Sequence, residues 1–304
     1  MRQDLYEKMI THYDPQVHFD DVEDAGFVGK GEGLHSLNSY RKVTLLVGGK
    51  KLQAFEKVYL RDSPDFKKMH WFYEEIYPQI GSRLEIPKVI LIKGSALAVV
   101  YFDWFEDLSN PATNKIIDVY NYVSDILDDM VVSNNLIEQK VISDFTVNTF
   151  FRTKFKRAHS WLRLHMGQKN SLFLNQICKN ISENSSIRRC FIHGDLNTTN
   201  LTNKGLIDFD YCGYHPKAYE HASFITGRFI FKNKTDFFDV CKSMNINLKD
   251  HDEMLALLFF YFVFSCRKNR KARDSFLKVI WRELDGHAKI MGIYVDGDID
   301  HVKG

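Results

Sequence analysis

Residues 191–210 read Phe-Ile-His-Gly-Asp-Leu-Asn-Thr-Thr-Asn-Leu-Thr-Asn-Lys-Gly-Leu-Ile-Asp-Phe-Asp. The apolar run Cys190-Phe191-Ile192 ends abruptly at a His-Gly-Asp sequence, so the polar residues that follow are expected just past a buried strand or turn. Asp195 and Asn200 stand five residues apart, and Asp208 comes eight residues after Asn200. No other stretch of the chain is as informative about chemistry.

The second half of this stretch predicts a β-hairpin. Two short apolar arms, residues 201–202 and 206–207, flank the sequence Asn203-Lys204-Gly205, in which we expect the glycine to supply a positive φ. Because a hairpin returns the chain on itself, Asn200 at its entry should lie close to Asp208 at its exit. Two oxygen ligands that meet in this way are well placed for a hard cation.

These residue types fit the requirements of phosphoryl transfer. That reaction needs a carboxylate near the attacking hydroxyl group, and oxygen ligands that hold magnesium against the nucleotide phosphates. An Asp, an Asn and a second Asp at short spacing can supply all three groups from one loop and one hairpin.

The segment 193–200, followed by Ile207-Asp208-Phe209-Asp210, resembles the signature of the aminoglycoside phosphotransferase and choline kinase-like enzymes. This resemblance implies a protein-kinase-like fold and a nucleotide-dependent kinase. It implies that Asp195 is the catalytic base and that Asn200 and Asp208 bind Mg²⁺. His193 would brace the loop, and Asp210 would be either an acid that supports the metal ligands or an auxiliary metal contact.

The resemblance also makes demands on the N-terminal part of the chain. It requires a flexible loop over the phosphates, for which Gly31 and Gly33 are the candidates, although their spacing differs from the protein-kinase pattern. It requires a strand lysine that contacts the phosphates, and Lys57 fits best. A helix glutamate should pair with that lysine. Either Glu75 or Glu74 does so, or other groups orient the lysine.

The order of elements predicts an α+β fold with two lobes. The first hundred residues are strand-rich, and a helix is expected from Pro64 to Tyr77. Long amphipathic segments dominate from about Thr113 onward. We therefore expect an N-terminal nucleotide-binding lobe at 1–104 and a C-terminal catalytic and substrate-binding lobe at 105–304. The resemblance implies a connector at about 101–110 whose backbone contacts the purine.

Composition narrows the choice of cellular environment and partners. The net charge is +2, which gives no reason to expect a nucleic-acid partner. The 5 cysteines form no CxxC pair, which argues against a disulfide framework or a zinc site and for a reducing compartment. The longest apolar run, 254–266, is too short to span a bilayer and predicts a buried helix. We expect a cytoplasmic protein without a transmembrane segment.

The charge pattern bears on the acceptor substrate. Polycationic aminoglycosides are held by clustered carboxylates, whereas this chain has two basic runs, at 152–163 and 267–273. If these runs border the acceptor site, the acceptor is a sugar, a sugar acid or another neutral or anionic metabolite. A choline-like substrate would need an aromatic cage.

Three classes of function remain open. The first is a small-molecule kinase that uses Mg²⁺ and either ATP or GTP. The second is a nucleotide-binding protein of the same fold with impaired catalysis, although Asp195, Asn200 and Asp208 are all intact. The third is a protein kinase, which the absence of an Ala-Pro-Glu sequence close after Asp208 disfavours. The sequence leaves the acceptor, the choice of nucleotide and the oligomeric state open.

Overall fold

The fold was analysed in a computed structural model. It describes residues 19–30, 39–47, 50–93, 97–105, 113–132, 140–196, 200–201, 205–229, 231, 233–266 and 274–294. The chain divides into two compact units. Unit 1 comprises Met1–Asn110 and Thr199–Asp210, and unit 2 comprises Pro111–Thr198 and Tyr211–Gly304. The hairpin stretch that follows Asp195 thus belongs to unit 1, whereas Asp195 itself belongs to unit 2.

Unit 1 is built on an antiparallel sheet with the strand order β1-β2-β3-β5-β4. Within the sheet, Lys57 lies opposite Tyr40 of β2 and Val100 of β5. The strands are β1 (Phe19–Lys30), β2 (Ser39–Val47), β3 (Lys50–Leu60), β4 (Val89–Lys93) and β5 (Leu97–Asp103). Strand β4 was not predicted, although Val-Ile-Leu-Ile after Pro87 is an apolar run of strand length.

One helix was predicted from Pro64 to Tyr77, but the structure has three consecutive helical segments there. Helix α1 (Pro64–Trp71) begins where the Ser63 side chain accepts a hydrogen bond from the Phe66 N–H, and a π-helical segment (Phe72–Ile76) follows it. Helix α2 (Tyr77–Ile80) completes the element. The residue after Tyr77 is a proline, which has no N–H and whose ring would clash with a carbonyl in the preceding α-helical turn. The wider π turn avoids that clash.

Unit 2 is mostly helical. Its helices are α3 (Thr113–Asp128), α4 (Lys140–Ser143), α5 (Thr149–His165), α6 (Gln168–Glu183), α7 (Lys217–Arg228), α8 (Lys234–Ser243), α9 (His251–Ser265) and α10 (Asp274–Ile290), and its strands are β6 (Arg189–Ile192) and β7 (Gly213–Pro216). Strands β6 and β7 pair antiparallel, and β6 is the buried run that was expected as a strand or turn before His193. Helix α9 is buried from Leu255 to Ser265, as its continuous apolar sequence predicted. Among the described helices, none is long and apolar enough to cross a membrane.

Candidate functional site

The two arms of the predicted hairpin are paired. Leu201 and Leu206 form an antiparallel bridge, and the Ile207 N–H donates to the Asn200 carbonyl at 3.0 Å. This pairing confirms that Asn200 and Asp208 stand at the same end of the hairpin. The turn residues 202–204 lie outside the described part of the chain.

The glycine of the hairpin has a different purpose from the predicted one. Gly205 has no positive φ, so that expectation is wrong. Instead, its backbone packs so tightly on Glu85 that an added Cβ would lie 1.5 Å from the Glu85 carbonyl oxygen. The Leu206 N–H donates to the same oxygen at 3.0 Å. Glycine is needed here because another backbone approaches closely.

Three charged side chains meet beside the hairpin exit. Lys57 is 2% exposed, and its Nζ donates to Asp208 Oδ1 at 2.7 Å and to a carboxylate oxygen of Asp210. The Tyr59 hydroxyl group donates to Asp210 Oδ1 at 3.0 Å. Burial raises the pKa of Asp210 to about 6, an effect that the neighbouring Lys57 ammonium opposes. Tyr59 was missed from the sequence, but it shares one face of β3 with Lys57 by strand alternation.

Asp208 has an unusual backbone conformation. Its φ is 66°, in the left-handed region that non-glycine residues seldom adopt. The next residue, Phe209, stacks on Phe72 of the π-helical segment, with ring centroids 4.0 Å apart. Uncommon backbone conformations and π-helical turns both concentrate at functional sites. The ring stack fixes the segment between the two carboxylates.

The structure does not bring the predicted helix glutamates to Lys57. The carboxylates found at the lysine are those of Asp208 and Asp210. Glu74 contacts His70, with 3.1 Å between Glu74 Oε2 and His70 Nδ1, and Glu75 is exposed. The π-helical segment buries the side chains of Phe72, Tyr73 and Ile76. Glu74 and Glu75 therefore face away from its buried side. Other groups orient the lysine, which was the open alternative.

Unit 1 contains a cavity of about 350 Å³. Lys57, Asn200, Asp208 and Asp210 supply polar groups at its wall, and aromatic side chains supply much of the remainder. This size and this mixture are typical of small-molecule sites. The lining residues are Phe55, Lys57, Tyr59, Met69, Tyr73, Pro87, Phe102, Asp103, Trp104, Phe105, Asn200, Ile207, Asp208, Phe209 and Asp210. Gly31 and Gly33, the predicted phosphate loop, lie outside the described residues, as do residues 106–110 of the predicted connector.

The oxygen atoms in this cavity suit a magnesium ion. Asn200 can offer an amide oxygen and Asp208 a carboxylate oxygen, which are the ligand types that Mg²⁺ prefers. Asp210 is less available, because Lys57 and Tyr59 both donate to it. In the described part of the chain, no group of three or more His, Cys, Asp or Glu side chains could hold a metal ion.

Glu220 holds the His193-Gly194 backbone in unit 2. Its Oε1 accepts from the His193 N–H at 2.8 Å, and its Oε2 accepts from the Gly194 N–H at 3.0 Å. Burial raises the pKa of Glu220 to about 7, while Lys217 and the two backbone N–H groups oppose this shift.

The loop that carries Asp195 is tightly packed. Gly194 has a φ of 81°, and an added Cβ would lie 2.1 Å from the Tyr211 carbonyl oxygen. The His193 ring is fully buried, and its Nδ1 accepts from the Asp195 N–H at 3.3 Å. Asp195 remains partly exposed. The loop therefore presents one accessible carboxylate on a fixed backbone.

No protein-family model matches this chain, and no curated protein matches its sequence. Solved structures do match. The aminoglycoside phosphotransferase APH(3'')-Id from Streptomyces rimosus has a TM-score of 0.52 at 12% identity, covering 80% of this chain and 93% of that one. The same enzyme in complex with ADP and streptomycin has a TM-score of 0.50 at 13% identity, with the same coverage.

A candidate fructosamine-3-kinase from Haemophilus somnus also matches. Its TM-score is 0.51 at 9% identity, and the match covers 92% of this chain and 95% of that one. Similarity at such low identity shows the fold alone. The chain therefore has the α+β protein-kinase-like fold of small-molecule kinases, as the resemblance around Asp195 implied.

Proposed function

We propose that this chain is a small-molecule kinase that transfers the γ-phosphate of ATP or GTP to a hydroxyl group of a small acceptor. One observation carries the proposal: Lys57, Asn200 and Asp208 line a single cavity of unit 1 together with Asp210. A cation and oxygen ligands in one apolar-walled cavity suit a nucleotide polyphosphate and its metal ion. ADP bound to a structural neighbour agrees with this role.

Five polar side chains of the cavity have roles at the nucleotide. The Lys57 ammonium binds phosphate oxygens, for which it exchanges its present contact with Asp208. Asp210 and Tyr59 keep the lysine oriented. Asn200 and Asp208 would hold Mg²⁺, which supplies charge neutralisation of the phosphates when bound. The aromatic wall, which includes Trp104 and Phe105, accommodates the base.

Asp195 acts at the acceptor. Its carboxylate accepts the proton of the acceptor hydroxyl group while that oxygen forms a bond to the γ-phosphorus. The bond between the γ-phosphorus and the β,γ-bridging oxygen breaks, and ADP or GDP leaves with the bonding electron pair. His193 and Glu220 fix the loop backbone, so that the carboxylate is held ready for this step.

We infer that the acceptor is a sugar, a sugar acid or another neutral or anionic metabolite. Of the first basic run on α5, Arg152, Lys156 and Arg163 are exposed, Arg157 is half-buried, and Lys154 is buried. The run at 267–273 lies outside the described residues. The inference about charge therefore rests on Lys154. An aminoglycoside or choline-type acceptor is the alternative within the same fold.

An impaired nucleotide-binding protein is the competing function. It would bind nucleotide in the same cavity without transferring phosphate. The left-handed backbone at Asp208 and the contact between Lys57 and Asp208 are compatible with either function. Intact Asp195 on a braced loop favours the kinase, because a protein that only binds nucleotide has no use for that carboxylate.

Thermal melts with nucleotide, with and without Mg²⁺, test the nucleotide site. We expect Mg²⁺ to increase the stabilisation by ADP or ATP in the wild-type protein, since binding to the folded state raises its stability. Asp208→Ala and Asn200→Ala should abolish that increment. Asp62→Ala removes an exposed carboxylate of unit 1 and should retain it. An unchanged increment in both Asp208→Ala and Asn200→Ala would refute the proposed ligands.

A further inference from the structure

Lys154 lies on the buried face of α5, where the other buried side chains are apolar. The buried side chains of this helix are Phe151, Lys154, Ala158 and Leu162, whose spacing is that of one helix face. Lys154 is 8% exposed, and its Nζ lies 4.7 Å from the centroid of the Phe150 ring. Burial of an ammonium group is far costlier than burial of an alkyl group. Lys154 is the one charged side chain among these four buried positions of the helix.

A series of contacts within unit 2 joins Lys154 to the Asp195 loop. The Phe150 and Tyr211 rings lie 5.2 Å apart between centroids. The Tyr211 carbonyl oxygen packs against Gly194, the residue that precedes Asp195. Phe150, Tyr211 and Asp195 are each partly exposed. These contacts link the Asp195 loop through Tyr211 to Phe150, over whose ring the Lys154 ammonium group lies.

We propose that Phe150, Tyr211 and Lys154 form the acceptor subsite, and that it takes a ring-bearing alcohol that carries a carboxylate or a phosphate group. This proposal rests on the proposed function and specifies its substrate class. The two aromatic rings contact the apolar face of the acceptor ring, and the ammonium group attracts its anionic group. The same ammonium group repels an amine, so the subsite selects against cationic acceptors.

Lys154 is more deeply buried than the other basic side chains of α5. Arg152, Lys156 and Arg163 are exposed, so salt and water screen their charges strongly. A partly desolvated ammonium group interacts more strongly with an anion at short range. Lys156 therefore offers a matched control on the same helix, with the same side chain in a solvated position.

Direct titration of three ring compounds tests the subsite: benzoate, phenyl phosphate and benzylamine. The titrations use the full chain with saturating ADP and Mg²⁺, so that the nucleotide cavity is filled. We expect the two anions to bind and benzylamine to bind at least about tenfold more weakly. Lys154→Met should weaken both anions about tenfold, the size of a lost charge-assisted hydrogen bond. Lys156→Met should change either affinity less than about twofold. A stronger effect on benzoate identifies a carboxylate as the preferred anion, and a stronger effect on phenyl phosphate identifies a phosphate.

A second variant measures the aromatic contribution. Phe150→Leu should remove most of the advantage that phenyl phosphate has over inorganic phosphate, while inorganic phosphate binds as before. Three results would overturn the subsite: absence of anion binding to the wild-type protein, anion binding that Lys154→Met leaves unchanged, or equal losses in Lys154→Met and Lys156→Met. If the probes bind but the protein transfers phosphate to no sugar or sugar-acid hydroxyl group, the proposed function is refuted and the subsite is left intact. If Lys154→Met phosphorylates an anionic acceptor as well as the wild-type protein does, the subsite alone is refuted.

Discussion

Glu220 is fully buried, and both of its carboxylate oxygens accept backbone hydrogen bonds from the loop that carries Asp195. Because one side chain receives the N–H groups of both His193 and Gly194, it fixes the direction in which the loop leaves β6.

The raised pKa of Glu220 gives a testable dependence of stability on pH. The folded protein binds the proton up to about pH 7, whereas the unfolded chain releases it near 4.5. The contribution of this carboxyl group to the free energy of unfolding is therefore complete below pH 4.5 and is lost as the pH rises through 7. The difference in stability between the wild-type protein and Glu220→Gln should fall by at most about 1.4 kcal/mol per pH unit in that interval. Denaturant unfolding of both proteins at several pH values measures it. A difference that stays constant between pH 4.5 and 7 would show that Glu220 is ionised in the folded state throughout that interval.

At the scale of elements, the hairpin is held to the rest of unit 1 through the close approach of Gly205 to Glu85. This contact positions the hairpin arm that ends at Asp208. The packing of Gly205 on Glu85 therefore helps to place a carboxylate of the candidate site. It also explains a glycine that the sequence could only attribute to a turn.

Gly205→Ala should destabilise the protein by about 3 kcal/mol or more, because the added Cβ overlaps the Glu85 carbonyl group. It should also reduce the Mg²⁺-dependent stabilisation by nucleotide. Gly286→Ala is the control, since Gly286 lies in α10 with no atom within 4 Å of an added Cβ. That variant should gain about 0.5–1 kcal/mol from helix propensity. Equal effects of the two substitutions on the free energy of unfolding would contradict the packing account.

Much of the element pattern could be predicted from the sequence. The pairing of the hairpin arms and the buried helix α9 follow from turn residues and from continuous apolar sequence. The π-helical segment was missed, because Pro78 alone does not indicate whether a helix will end, kink or widen. The carboxylate partners of Lys57 were missed as well. They lie more than 150 residues further along the chain, and local patterns do not predict so distant a contact.

At the scale of the whole molecule, the charge distribution is more informative than the net charge of +2. The exposed basic side chains of α5 form a solvated face, and the buried Lys154 is the member of that run with a defined chemical environment. The sequence alone therefore does not show which basic side chains of a run are buried, because burial depends on which face of the helix packs against the rest of the protein.

The acceptor charge predicts a dependence on ionic strength. If the acceptor is anionic, raising the salt concentration should increase its KM, because salt screens the attraction to Lys154 and lowers the encounter rate. Aminoglycosides should be phosphorylated poorly or not at all. Steady-state assays at low and high salt, with a neutral sugar as the control acceptor, measure both effects. Efficient phosphorylation of an aminoglycoside would contradict the predicted acceptor class.

The central claim is that Asp195 serves as the base in nucleotide-dependent phosphorylation of a hydroxyl group. Its most direct test compares γ-phosphate transfer by the wild-type protein and Asp195→Asn, with acceptors from a library of sugars and sugar acids and with ATP and GTP as donors. We expect Mg²⁺-dependent transfer by the wild-type protein, and a kcat lower by about a hundredfold to ten-thousandfold in Asp195→Asn with nucleotide affinity unchanged. A near-normal kcat in Asp195→Asn, or nucleotide binding without transfer to any acceptor in the wild-type protein, would contradict the claim.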